Sequence, residues 1–69
     1  MDVPAHITGT VWKIEAKVGD QVKAGDVLLI LESMKMEMPV EAPDDGKVTE
    51  IRCKETQAVN EGDILIVLG

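Results

Sequence analysis

Residues 3–32 lie on residues 40–69 at a constant offset of 37, without a gap, and 11 of the 30 aligned positions are identical. The identities are Val3/Val40, Ala5/Ala42, Gly9/Gly46, Val11/Val48, Ile14/Ile51, Lys17/Lys54, Val22/Val59, Gly25/Gly62, Asp26/Asp63, Leu28/Leu65 and Leu31/Leu68. Conservative pairs such as Val27/Ile64 and Leu29/Ile66 extend them. A chain of two such halves is expected to close on itself about a pseudo-two-fold axis. Residues 33–39 have no counterpart and form the one unique segment, a hairpin that presents Lys35.

Each half is written in strand signals. Runs of Val, Ile and Leu are broken every eight to twelve residues by Gly-Asp or Pro-Asp-Asp-Gly, the punctuation of a small all-β sandwich or barrel. No window keeps an apolar stripe at helical spacing for three turns. The predicted strands are Val3–Ile7, Thr10–Lys17, Val27–Glu32, Met36–Glu41, Lys47–Lys54 and Ile64–Leu68, with short pieces near Val22 and Val59. Val11 and Ile14, like Val48 and Ile51, stand three apart where a regular strand repeats every two. A bulge at the same place in each half lets both members face inward. Leu28, Ile30, Leu65 and Val67 are the predicted core, surrounded by Val11, Ile14, Val22, Val48, Ile51 and Val59.

Gly25-Asp26 and Gly62-Asp63 predict equivalent turns, with glycine in a left-handed conformation and aspartate accepting from nearby amides. Gly19-Asp20 has Thr56-Gln57 as its partner. A β-branched residue rarely takes a positive φ, so the second of these turns is predicted to differ in backbone.

Size and charge narrow the function. Sixty-nine residues make a single domain (1–69), and a chain this short buries only about 60% of the surface its unfolded form exposes. Cys53 is the only cysteine, which excludes a disulfide framework and points to a reducing, cytoplasmic setting. One histidine and one cysteine cannot complete a four-ligand metal site. Thirteen acidic against seven basic residues, a formal charge of −6, disfavours nucleic acid and anionic membranes alike. No apolar run is long enough for a membrane span, and the N-terminus lacks a signal-peptide profile. A water-excluding catalytic cleft needs a few hundred cubic ångströms, which one small core can hardly spare. No Ser-His-Asp set and no phosphate-binding glycine loop is present. The chain reads as something acted upon, and it is expected to be monomeric.

The unique segment reads Glu32-Ser33-Met34-Lys35-Met36-Glu37, with Met38 following. Alternate methionines can fill core gaps while the lysine points to water. Against that, the lysine lies outside the repeat, where the chain has to reverse near Met34-Lys35. Tight two-residue hairpins favour Asn-Gly or Asp-Gly because both central residues take positive φ. A Met-Lys turn therefore accepts unfavourable backbone geometry or opens into a looser one, and strained turns are candidates for function.

This segment resembles the biotin-attachment motif of biotinyl domains, in which a lysine between two methionines carries biotin. Gly9-Thr10-Val11, both Gly-Asp turns, and Ala42-Pro43 followed by Gly46-Lys47-Val48 extend the resemblance over nearly the whole chain. It is closest to single-domain biotin/lipoyl attachment proteins. Lipoyl domains share the fold but usually carry Asp-Lys-Ala at the tip. The resemblance implies a flattened barrel-sandwich hybrid of two four-stranded antiparallel sheets. It implies a biotin carboxyl carrier that is not itself an enzyme. Biotin would be joined to Lys35 by a biotin protein ligase, and the arm would shuttle carboxylate from a biotin carboxylase to a carboxyltransferase. Met34 and Met36, with Glu32 and Glu37, would serve ligase recognition and presentation.

An alkyl ammonium of reference pKa about 10.4 is mostly protonated at neutral pH, so a ligase must remove that proton first. The alternatives are a lipoyl or dual biotin/lipoyl carrier, and an unmodified β-sandwich interaction module. Neither the thumb insertion of some acetyl-CoA carboxylase carriers nor an Ala/Pro-rich linker is present, so a free-standing carrier or an excised carrier domain is expected. The carboxylate acceptor is not encoded here. Elsewhere, Trp12 aligns with Thr49 and is expected at a semi-exposed strand position. His6 aligns with Pro43 and Cys53 with Ala16, a small filler.

Overall fold

A computed structural model describes all of residues 1–69. Eight strands follow in order: β1 (Asp2–Pro4), β2 (Gly9–Ile14), β3 (Gln21–Val22), β4 (Val27–Ser33), β5 (Met36–Glu41), β6 (Gly46–Ile51), β7 (Ala58–Val59) and β8 (Ile64–Leu68). They form two four-stranded antiparallel sheets, ordered β1-β8-β6-β3 and β5-β4-β2-β7. Each sheet takes two strands from each half of the repeat, so the halves interleave and neither owns a sheet. The β4–β5 hairpin has its counterpart in the pairing of β8 with β1. There the Leu68 amide donates to the Met1 carbonyl at 2.8 Å, as the matched Leu31 and Met38 face each other across the hairpin. The structural repeat thus reaches two residues into the segment left unpaired by sequence, and matches Met38 with Met1 and Pro39 with Asp2.

The core is built twice. Its buried residues are Val3, Ala5, Val11, Ala16, Val22, Leu28, Leu29, Leu31 and their offset-37 partners Val40, Ala42, Val48, Cys53, Val59, Leu65, Ile66 and Leu68. No polar or charged residue is buried among them. Burying one such leucine contributes about 1.5–3 kcal/mol, which is a large share of what a domain this small can hold.

Ile30 and Val67 are not core residues. Both are half-exposed, and Leu29 and Ile66 are fully buried in their place. The reason is a second pair of bulges. Register shifts between Val27 and Leu29 against β5, and β1 shifts likewise against β8 between Val3 and Pro4. Two consecutive side chains, Leu28-Leu29 and Leu65-Ile66, thereby face inward and reverse the alternation beyond them. The bulges expected from the Val11/Ile14 and Val48/Ile51 spacing are present, between Val11 and Lys13 and between Val48 and Glu50. The predicted long strands also end sooner. β2 stops at Ile14, where the Glu15 and Ala16 amides both turn to the Leu28 carbonyl at 2.9 and 3.0 Å.

The Gly-Asp turns match in detail. Gly25 and Gly62 have φ of 91° and 93°, and Asp26 and Asp63 each accept from an amide three residues back, of Lys23 and Asn60, at 2.9 Å. The Thr56-Gln57 turn overturns its expectation. Thr56 has φ 74°, in the same left-handed region as Gly19 at 98°. The same hydrogen bonds hold both turns: Gly19 N–H to Val48 O at 2.8 Å and Thr56 N–H to Val11 O at 2.7 Å. Gln57 Oε1 receives the Lys54 amide at 3.0 Å as Asp20 Oδ2 receives that of Lys17 at 2.9 Å. Tertiary hydrogen bonds thus impose the conformation that local preference resists.

Candidate functional site

Strands β4 and β5 are paired along their full length, and Ser33 opposite Met36 is the last pair before the chain reverses. Only Met34 and Lys35 remain for the loop, with φ of 52° and 64°. Positive φ at both central residues is the geometry of a tight type I′ hairpin. Of the two expectations, strained or opened, the strained turn is the one observed. A left-handed conformation costs a residue with a Cβ roughly 1–2 kcal/mol, and here two adjacent residues bear it. The ladder below holds them. Its inward residues Leu29, Leu31 and Val40 are buried, so the turn cannot relax without disturbing the core.

The side chains at the tip face solvent. Met34 is 91% exposed and Met36 61%, so neither fills a core gap, and Met38 is half-buried. Lys35 is exposed and takes part in none of the ion pairs or side-chain hydrogen bonds of the structure. Glu32 and Glu37 stand directly opposite each other one step below the turn, both exposed and without a cationic partner. The structure therefore brings Lys35, its flanking methionines and the two glutamates together on one hairpin. The opposition of the two glutamates was not read from the sequence, although counting back from a two-residue turn gives it.

The other residues singled out lie away from the tip. Cys53 is buried, and that burial pushes its thiol up from 9.0. His6 is exposed and lines a shallow groove of about 350 Å³ with Pro4, Pro39, Glu41 and Pro43. Trp12 is 48% exposed on β2. An acyl group joined to Lys35 requires a reachable amine and room around it, and the hairpin supplies both.

Residues 1–68 match the model of the biotin/lipoyl family, described as "Biotin-requiring enzyme". The chain belongs to the biotin/lipoyl family. This biotin/lipoyl domain is 47% identical over 68 residues to the "Biotin/lipoyl attachment protein" of Bacillus subtilis, spanning 99% of this chain and 93% of that one. It is 42% identical over 66 residues to the biotin carboxyl carrier protein of Streptococcus mutans, covering 96% of this chain and 51% of the relative. Among solved structures it superposes on the urea carboxylase of Kluyveromyces lactis with a TM-score of 0.94 and 42% identity, over the whole of this chain and 6% of that one. The two-sheet, repeat-interleaved fold is therefore that of a carrier module found both alone and inside very long chains.

Proposed function

We propose that this domain is a biotin carboxyl carrier and that Lys35 is its attachment residue. The observation that carries the reading is an unpaired, exposed lysine held at the tip of a strained two-residue turn between Met34 and Met36. A biotin protein ligase deprotonates the Lys35 ammonium, Nζ attacks the acyl carbon of biotinyl-adenylate, and AMP leaves as the amide forms. When bound, biotin supplies the nitrogen that carries carboxylate between a biotin carboxylase and a carboxyltransferase. The chain's own contribution is presentation. The turn keeps Nζ clear of the domain, Met34 and Met36 give the ligase an apolar grip on either side, and Glu32 and Glu37 offer it negative charge. Tethering raises the local concentration of the carried group near both partner sites. The domain itself performs no chemical step.

Intact mass after incubation with biotin ligase, ATP and biotin tests this. One biotinyl adduct is expected on the parent chain and none on Lys35→Arg, because a guanidinium remains charged and is a poor nucleophile. A second adduct, or one that survives the substitution, overturns the assignment. The 47% identity to a biotin/lipoyl attachment protein supports a second reading, a dual acceptor. Parallel incubation with a lipoyl ligase decides between them.

A further inference from the structure

The repeat provides an internal reference for every surface position. On the outer face of the sheet that carries Lys35, the β2 bulge sets Trp12 and Lys13 opposite Ile30, and Ile30 pairs with Pro39. The matched row of the other sheet is Thr49 and Glu50, Val67, and Asp2. One face therefore shows Trp-Ile-Pro where its twin shows Thr-Val-Asp. Trp12 is the chain's only aromatic residue, and it is half-exposed. Thr49 occupies the equivalent bulge and ties its hydroxyl to the Val67 carbonyl at 3.1 Å, so this bulge does not require an indole. Between the row and the turn stand Glu32 and Glu37, like charges directly opposite, an arrangement that costs a cross-strand pair stability. Lys13, the row's one cation, is already paired with Glu15 at 3.4 Å.

We propose that the Trp12–Ile30–Pro39 row is part of the footprint of the enzyme that acylates Lys35, a protein offering an apolar slot for the indole bordered by Lys or Arg side chains. The proposal rests on the reading of Lys35 as an acyl acceptor. Ile30 and Pro39 lie three residue steps, roughly 10 Å, from the pair that closes the turn on the same two strands, and Trp12 stands beside Ile30 on the adjacent β2. A docking patch of about 800 Å² centred on the hairpin includes it. A half-exposed tryptophan is the side-chain type most enriched at binding hot spots. Charge selects the partner: a second copy of this chain would set its own unpaired glutamates against these, whereas a basic rim neutralises them. Reach selects it further. The acylating enzyme has to contact the lysine amine itself, while an enzyme working on the carried group stands an arm's length beyond the turn.

Trp12→Thr installs the residue that the fold already accepts at position 49. Its KM for biotinylation is expected to rise about ten-fold with kcat unchanged, the loss typical of a truncated hot-spot aromatic. Ile30→Val and Pro39→Asp, which likewise copy the other half, are expected to raise KM by smaller factors, and Thr49→Trp to leave it unchanged. Docking is read separately from acylation with ¹⁵N-labelled Lys35→Arg protein titrated with unlabelled biotin ligase. The single indole N–H resonance is expected to shift or broaden on binding. An unmoved indole resonance at saturating ligase, or an unchanged KM in folded Trp12→Thr, overturns the proposal. Failure of the parent chain to be biotinylated while the indole still responds would instead count against Lys35 as the acceptor.

Discussion

Thr56 holds a left-handed conformation at φ 74° that the equivalent residue, Gly19 at 98°, adopts without a Cβ. Replacing Thr56 by glycine is expected to stabilise the domain. The strain relieved is about 1–2 kcal/mol for a residue with a Cβ in this region. Glycine returns roughly 0.5–1 kcal/mol through the greater freedom of the unfolded chain. Thr56 is exposed and its side chain makes no hydrogen bond within the domain, so little else is lost. The balance is about 0.5–1 kcal/mol in favour of glycine, or a Tm rise of roughly 3–7 °C for a domain of this size. The reverse change has the same magnitude and the opposite sign. A Cβ on Gly19 would meet nothing within 4 Å, which makes the cost of Gly19→Thr a matter of backbone alone. Urea melts of the two variants, with Thr56→Ala between them, should move Cm and leave the m-value unchanged. A Thr56→Gly protein no more stable than the parent, or a Gly19→Thr protein that is not weakened, would refute the argument from backbone strain.

Two further outcomes follow from the packing. A Cβ on Gly9 would stand 2.6 Å from the Glu32 carbonyl oxygen, a backbone atom that cannot swing aside. Gly9→Ala should cost about 1–3 kcal/mol, visible as a lowered urea midpoint, and amide exchange should quicken along β4 below the hairpin. For Cys53, burial raises the folded thiol's pKa above the unfolded value near 9.0. Its contribution is complete below that value, because both states keep the proton. It is lost as pH climbs from there through the folded value, because the unfolded state ionises first. Thermal stability between pH 8 and 10.5 should therefore fall more steeply in the parent than in Cys53→Ala, which carries the residue found at position 16. Parallel curves would show that the thiol stays solvated.

The site was legible because it is local. Lys35, Met34 and Met36 are neighbours in the chain, and the gap in the repeat sets them apart without any knowledge of the fold. The turn was legible in part: its lack of Asn or Gly left a strained or a looser loop, and the pairing of Ser33 with Met36 decided for the strained one. Ile30 and Val67 were misplaced because alternation counted along one strand carries no information about a residue that bulges against a neighbour. Thr56 was misjudged because its φ is set by Val11, far away in sequence, and not by its own preference. Trp12 could be placed on a strand, yet its alignment with Ile30 and Pro39 depends on three strands meeting in register.

By itself, the sequence determined that the chain is all-β, that its core is made twice, and that one lysine hairpin stands outside the repetition. Those properties follow from residue type and periodicity, which act over a few neighbouring positions. Only the tertiary structure decided that the halves interleave, two strands of each in either sheet, and that a second pair of bulges buries Leu29 and Ile66 in place of Ile30 and Val67. Only the fold brought Trp12, Ile30 and Pro39 into one row on the sheet that carries Lys35. Register and sheet order arise from hydrogen bonds between distant segments, and no local preference in these 69 residues specifies them.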